Sequence, residues 1–189
     1  MTERGFPCSP ERRKFFLGAT ESLKDIRFIH LEYIDDEVVK RLLELPEFSA
    51  LSFSGSKTSS IHSIKGIPEL EILDLSESRI KDLSQIMALK DLTYLDLKKT
   101  PVKELLPLTE LKGLQSLRLW NCDSITDFST LPSLTNLRWL DLKSTKITDI
   151  SSLSSLTKLE KLWLYKCKKI KKEDVEAPRK QLPNCDIYF

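Results

Sequence analysis

The chain has 189 residues, with 30 Lys and Arg against 28 Asp and Glu, so its net charge at pH 7 is only +2. This length suffices for one domain with its own core, and the charge balance excludes a strongly basic nucleic-acid binder or an acidic disordered tail. An apolar fraction of 40% beside 31% charged residues also excludes a disordered chain and a membrane bundle. The 33 leucines are unusual, and they direct the search to internal repeats.

Residues 1–25 are predicted to form an N-terminal helical cap. The segment from Ser9 to Gly18 has an N-cap serine followed by Pro10 and ends in glycine, which is typical of a short helix. Residues 1–20 contain no apolar stretch of signal-peptide length, and no segment has the roughly 20 apolar residues that cross a bilayer. We therefore expect a cytoplasmic protein without membrane contact, although secretion without a leader would leave no trace in the sequence.

The rest of the chain, residues 26–189, is predicted to be one repeat domain of about eight units. The phrase Leu-x-x-Leu-x-Leu occurs five times at intervals of 22 or 23 residues, beginning at Leu70, Leu92, Leu114, Leu137 and Leu159. Degenerate copies begin at Ile26, Phe48 and Leu182. The copy at 182–189 supplies a last strand that serves as the C-terminal cap.

Each unit combines two periodicities. Leu-x-Leu alternates like a short strand with one buried face, whereas the following half has apolar residues at helical-turn spacing, as in Ile80, Leu83 and Ile86. No unit can bury its leucines alone, so stacked units are predicted to form an α/β solenoid. Its curved parallel sheet lies on the concave face, with short 3₁₀, helical or loop returns on the convex face. One longer helix is predicted from Asp35 to Leu45, closed by Pro46.

These units resemble the leucine-rich-repeat family in its 22-residue form, LxxLxxLxLxxNxIxDIxxLxxL, which Thr145 to Leu153 matches well. The resemblance covers nearly the whole chain and is strongest to internalin-like and phosphatase-regulatory-subunit-like members. It implies a protein that binds a partner. The family's turn asparagine is replaced by small residues that can still point inward and bond neighbouring backbone. These residues are Ser56, Ser78, Thr100, Cys122, Thr145 and Cys167.

The cysteines are predicted to be reduced and structural. Cys122 and Cys167 occupy the same turn position two units apart, which places their Cα atoms roughly 10 Å apart, whereas a disulfide needs less than about 7 Å. Cys185 falls in a core-leucine column, away from both. Cys8 lies outside the repeats and is expected to be an exposed thiol.

No pattern of catalytic or metal-binding residues is found. His30 and His62 have no ligand spacing with Cys or Asp, and no phosphate loop, nucleophile elbow or HExxH run occurs. Asp74, Asp96 and Asp141 recur because the repeat recurs. The sequence therefore predicts a protein that is not an enzyme and needs no metal or cofactor.

The outward positions of the predicted strands carry unexpected aromatic residues. All three tryptophans and three of the four tyrosines fall there, whereas the N-terminal units have small residues such as Ser52, Ser54 and Ser76. We expect an exposed aromatic patch ringed by charges, of the composition found in interface hot spots. Stacking that only rigidifies the sheet is the alternative. The predicted partner-binding residues are Tyr94, Asp96, Lys98, Arg118, Trp120, Trp139, Asp141, Lys143, Lys161, Trp163, Tyr165 and Tyr188.

Three functions follow from this interpretation. The first is a protein-binding module, a monomer when free, that acts by occupancy, for example as an inhibitor or immunity protein. The second is an effector or regulatory subunit that recruits an enzyme, and the third is a glycan-binding module. The basic run from Lys166 to Lys172 is interpreted as a solvated end of the solenoid, with an acidic partner or nucleic acid as alternatives. Charge balance disfavours nucleic acid.

Overall fold

Eight three-residue parallel strands form one sheet in the computed structural model, which describes residues 28–31, 36–44 and 49–189. Neighbours in the sheet follow chain order, which confirms the predicted α/β solenoid. The strands are β1 (Phe28–His30), β2 (Ala50–Ser52), β3 (Ile72–Asp74), β4 (Tyr94–Asp96), β5 (Ser116–Arg118), β6 (Trp139–Asp141), β7 (Lys161–Trp163) and β8 (Asp186–Tyr188). The predicted helical cap of residues 1–25 lies outside the described residues.

The repeat fixes the register of the sheet. Central strand residues pair with one another from repeat to repeat, as Leu95 does with Leu117 and Leu117 with Leu140. These leucines have no exposed surface, because alternate strand residues point to opposite faces and one face meets the return segments. Each buried leucine contributes about 1.5–3 kcal/mol, so the leucine columns form the continuous core that the sequence predicts.

The return segments hold the other side of this core. Five of them contain 3₁₀ turns: His62–Gly66, Ser84–Ala88, Leu106–Glu110, Leu131–Ser133 and Ser151–Ser155. Each turn buries an apolar residue, as Ile86, Leu108 and Leu153 show. Before the last turn, Asp149 accepts the N–H of Ser151 at 2.8 Å, and this hydrogen bond lowers the pKa of Asp149.

Two return segments are α-helical. Helix α1 (Asp36–Leu43) lies within the predicted helix Asp35–Leu45 and buries Leu42 against the first repeats. Helix α2 (Lys172–Gln181) was not predicted. Its first turn is stabilised by Asp174, whose carboxylate accepts the N–H of Lys171 at 2.8 Å.

Helix α2 corrects the predicted alignment of the last unit. Cys185 was expected to match Leu162, but Leu162 pairs with Ile187 and Trp163 with Tyr188, 25 residues later. The reason is that a ten-residue helix takes up more chain than a 3₁₀ turn. Cys185 is therefore half-buried and precedes β8, as the exposed Asn184 does.

A left-handed residue ends the strand segment in six successive repeats. Glu77, Lys99, Asn121, Ser144 and Lys166 have φ between 55° and 61°, and Gly55 has φ 73°. This bend turns the next side chain inward. The thiol of Cys122 donates to the Leu97 carbonyl oxygen at 2.9 Å, and Thr100 donates to the same oxygen at 2.7 Å. The expectation that small turn side chains bond backbone is thereby confirmed, and Cys122, Cys167 and Cys185 are free thiols.

Candidate binding surface on the open face of the sheet

The predicted partner-binding residues lie on the face of the sheet turned away from the core, here called the open face. They form three columns that run across the strands. The first column consists of Tyr94, Ser116, Trp139 and Lys161, and the second of Asp74, Asp96, Arg118, Asp141, Trp163 and Tyr188. The third, here called the edge column, consists of Lys98, Trp120, Lys143 and Tyr165, whose carbonyl oxygens accept N–H groups from the preceding repeat.

The aspartates of the second column accept hydrogen bonds from backbone N–H groups. Asp74, Asp96 and Asp141 are at most 3% exposed, and in each the Oδ1 atom accepts the N–H of the residue two positions on, at 2.9–3.1 Å. This local bond satisfies a donor where each short strand ends. The aspartates therefore recur for a structural reason, as predicted, and the Oδ1 atom of each one is engaged in a backbone hydrogen bond.

Arg118 joins two of these aspartates across three strands. Its Nη1 atom lies 2.7 Å from Asp96 Oδ2, and its Nε atom lies 3.7 Å from Asp141 Oδ2. Burial by itself lowers the pKa of Arg118, but the neighbouring carboxylates more than reverse this, so the pKa is raised. The guanidinium is permanently charged and compensates the buried carboxylates.

Two of the predicted exposed aromatic residues are buried, which corrects the extent of the patch. Tyr94 is 2% exposed and Trp139 is 4% exposed. The Tyr94 hydroxyl donates to Asp96 at 3.4 Å, and burial raises its pKa well above the usual value. The indole N–H of Trp139 donates to Glu160 at 3.2 Å. Side chains from strands only about 4.8 Å apart cover one another. The alternation of residues within one strand does not reveal this burial.

The same crowding buries the charged residues of the second column. Asp96, Arg118 and Asp141, which were expected to ring an exposed patch, are at most 8% exposed. The accessible part of the predicted surface is therefore narrower. It consists of the half-buried Lys98, Trp120, Lys143, Lys161, Trp163 and Tyr188 and the exposed Tyr165.

Trp120 is flanked by two lysines of the edge column. Lys98 Nζ lies 4.6 Å and Lys143 Nζ 4.9 Å from the indole ring centroid, distances that give favourable cation–π attraction. Lys98 also pairs with Glu77 at 3.0 Å, and Lys143 with Asp141 at 3.2 Å. Bonding to Lys98 lowers the pKa of Glu77. The edge column thus alternates cation and aromatic ring in a fixed order.

A cluster of three aromatic rings occupies the C-terminal end of the open face. Trp163 and Tyr188 stack with centroids 5.6 Å apart and ring planes 10° apart, and Tyr165 lies 6.5 Å from Tyr188 at 38°. Tyr165 is 46% exposed. These three residues, here called the aromatic cluster, were all predicted as partner-binding. Their contact depends on the register that α2 sets, which the sequence alignment missed.

Metal-binding and histidine sites were the other arrangements to consider among the described residues. Among them no group of three His, Cys, Asp or Glu is placed to hold a metal ion. His30 lies 3.5 Å from Ser52 Oγ, and His62 lies 3.4 Å from Lys65 Nζ. In the same part of the chain, no helix is long and apolar enough to cross a membrane. On the open face, the carboxylates of Asp74, Asp96 and Asp141 are buried and accept backbone N–H groups.

The basic run from Lys166 to Lys172 forms the connection from β7 to α2. Its lysines are exposed, whereas Cys167 and Ile170 point into the core. The thiol of Cys167 donates to the Leu142 carbonyl oxygen at 3.0 Å. The run therefore supplies both a regular repeat turn and a positively charged margin beside Tyr165.

Eight stacked strands joined by seven return segments, with these inward-bonded turns, define a leucine-rich-repeat solenoid. A family model described as leucine-rich repeats in two copies matches residues 135–180. This match covers 46 of the 189 residues, and the described residues have the leucine-rich-repeat fold.

Solved structures of bacterial repeat proteins share the fold. An internalin (InlF) of Listeria monocytogenes has TM-score 0.66, 23% identity and 75% coverage of this chain. Internalin C2 of the same species has TM-score 0.66, 29% identity and 75% coverage. A leucine-rich-repeat protein of Leptospira interrogans has TM-score 0.64, 20% identity and 87% coverage. The chain spans 41%, 60% and 48% of their respective lengths. No curated protein matches its sequence.

Proposed function

We propose that the C-terminal half of the open face binds another protein and that the chain acts by occupying that partner. The observation that carries this proposal is the aromatic cluster of Trp163, Tyr165 and Tyr188. Its rings remain accessible on a sheet where Tyr94 and Trp139 are buried. Trp and Tyr are among the residue types that dominate binding energy at protein interfaces.

The N-terminal half of the open face supports the same location. There Ser52 donates to Asp74 at 3.4 Å, and Ser76 donates to Ser54 at 2.9 Å. These small side chains bond to one another and offer little apolar area to a partner. The proposed surface therefore begins near Lys98 and ends at Tyr188.

The test combines substitution with partner capture. We expect Trp120→Ala/Trp163→Ala/Tyr165→Ala to weaken binding of a partner captured from the native host by at least about a hundredfold, since each hot-spot truncation costs roughly 2 kcal/mol or more. The control is Met87→Ala/Leu106→Ala, because these return-segment side chains are 40% and 66% exposed. Biolayer interferometry with the purified partner gives the affinities. Undiminished binding by the folded triple variant contradicts the proposed site.

Blocking and recruitment are separated by the partner's own activity. The proposed occupancy, as in an inhibitor or immunity protein, predicts that saturating amounts of this chain abolish that activity. A regulatory subunit leaves the partner active and redirects it. The glycan alternative is less well supported, because one face of the Trp163 ring is covered by Tyr188. The proposal also comprises a cytoplasmic monomer without enzymatic activity.

A further inference from the structure

The accessible charge along the edge column is mainly positive. On the open face of β4 to β6, the carboxylates of Asp96 and Asp141 are buried and accept backbone N–H groups. The side chains of Lys98 and Lys143 retain 15% and 27% exposure. Two left-handed residues, Lys99 and Lys166, extend this margin and are exposed. Glu77 is the acidic residue paired with Lys98 and Lys99.

The two edge-column lysines are already held in position. Both ammonium groups lie within 5 Å of the Trp120 centroid, so the rotamer entropy lost on binding a ligand is reduced. Lys98 bonds to Glu77 at 3.0 Å and Lys143 to Asp141 at 3.2 Å. An ammonium group has three donors, so each lysine retains donors for a further carboxylate. Such charge-assisted hydrogen bonds are the stronger class.

The spacing of the edge column matches an extended peptide. Lys98 and Lys143 lie two strands apart, which is about 9.6 Å along the solenoid. Three residues of an extended chain cover about 10 Å. Trp120 lies between the lysines, and Tyr165 follows in the next repeat. A segment running across the strands can therefore place carboxylates over both lysines and apolar side chains against Trp120 and Tyr165.

From this geometry we propose that the partner contributes an extended acidic segment, with Asp or Glu about three residues apart and apolar residues between them, and that this segment lies along the edge column. The inference rests on the proposed function and specifies the chemistry of its partner. Nucleic acid is disfavoured, because Glu77 and the exposed Asp186 lie at the two ends of the same surface and the net charge is only +2.

The experiment is selection from a displayed library of random 12-residue peptides on the immobilised full chain, followed by affinity measurement with the synthetic peptides. We expect enrichment of Asp and Glu at spacings of three residues. We expect Lys98→Glu/Lys143→Glu to weaken binding of those peptides more than about tenfold. Binding should also weaken when NaCl is raised from about 0.05 M to about 0.3 M.

The control is Lys103→Glu/Lys146→Glu, which makes the same charge change at exposed positions in the return segments of the same two repeats. It should leave peptide affinity within about twofold. Lys98→Gln/Lys143→Gln, with its melting temperature checked, separates loss of charge from loss of fold.

Three results overturn the acidic-segment proposal: no peptide is retained, the retained peptides lack acidic enrichment, or a 12-nucleotide single-stranded DNA binds more tightly than the peptides. If peptides without acidic enrichment lose binding on Trp120→Ala/Trp163→Ala/Tyr165→Ala, the proposed function stands and only the partner chemistry is wrong. If a captured protein partner and every peptide bind that triple variant unchanged, the proposed function fails as well.

Discussion

Arg118 shows how a charged side chain is accommodated on a crowded sheet. Its side chain is 10% exposed and lies between Asp96 and Asp141, which are 1% and 0% exposed. Two buried carboxylates without a cation would face a desolvation cost of several kcal/mol per ion. The arginine therefore stabilises the middle of the open face by compensating these charges, and the proposed contact with a partner is made by the edge column and not by Arg118.

Arg118→Ala is expected to lower the free energy of unfolding by about 3–5 kcal/mol, because it removes the cation 2.7 Å from buried Asp96 and one of the two cations beside buried Asp141. Asp96→Asn/Arg118→Met/Asp141→Asn removes all three charges and should cost less than the single change. Urea unfolding followed by circular dichroism measures both. A single variant as stable as the wild type would show that the carboxylates do not depend on this arginine.

The turns that follow β2 to β7 share one backbone conformation. A left-handed residue bends the chain, and the next side chain then donates to a core-facing carbonyl, as Thr145 does to Leu142 at 2.7 Å. The N–H of the left-handed residue also bonds the next repeat, as in Ser144 to Tyr165 at 2.8 Å. Each turn thus satisfies its own backbone and extends pairing beyond the three-residue strand.

Gly55→Ala tests this conformation in isolation. A Cβ at Gly55 meets no atom within 4 Å, so the expected cost of about 1 kcal/mol comes from placing alanine at φ 73°. Gly55→Asn should cost less, because asparagine tolerates the left-handed region and Asn121 occupies the equivalent position. The midpoints of chemical denaturation measure both. Equal stability of wild type and Gly55→Ala would contradict the strain argument.

Among the described residues, the strands and return segments of each repeat pack on those of the adjacent repeats. Leu117 pairs with Leu95 on one side and Leu140 on the other and has no exposed surface. Ile187 pairs with Leu162 and is only partly buried. Stability in such a solenoid is a sum of repeat and nearest-neighbour terms, so the same truncation has different costs at different positions.

Leu117→Ala is therefore expected to lower the free energy of unfolding by about 2–5 kcal/mol, and Ile187→Ala by clearly less. The difference arises because the central cavity is enclosed on both sides. Equilibrium urea unfolding of the two variants gives the comparison. Equal losses would mean that the last repeat is as tightly packed as the middle ones.

The repeat itself could be predicted from the sequence, because leucine spacing of 22 or 23 residues determines both the strand register and the core columns from β1 to β7. Trp120, Trp163 and Tyr165 were correctly assigned to outward positions for the same reason, whereas Tyr188 faces outward because the two-residue error in the register of β8 preserves the alternation of the strand. Neither prediction requires knowledge of neighbouring side chains, since period and alternation alone decide which way a residue points.

Only the tertiary structure decided how much of that outward surface stays accessible. Tyr94, Trp139 and Arg118 are outward-facing yet buried, because side chains from adjacent strands cover them. The contact between Trp163 and Tyr188 depends on a register shift that α2 introduces. The residue pattern within one repeat determines which face of the sheet a side chain points to. The exposure of that side chain and its ring contacts depend on residues 22 to 25 positions away in the sequence. Packing across repeats therefore limits the accessible part of the predicted surface to a narrow set of lysines and aromatic rings.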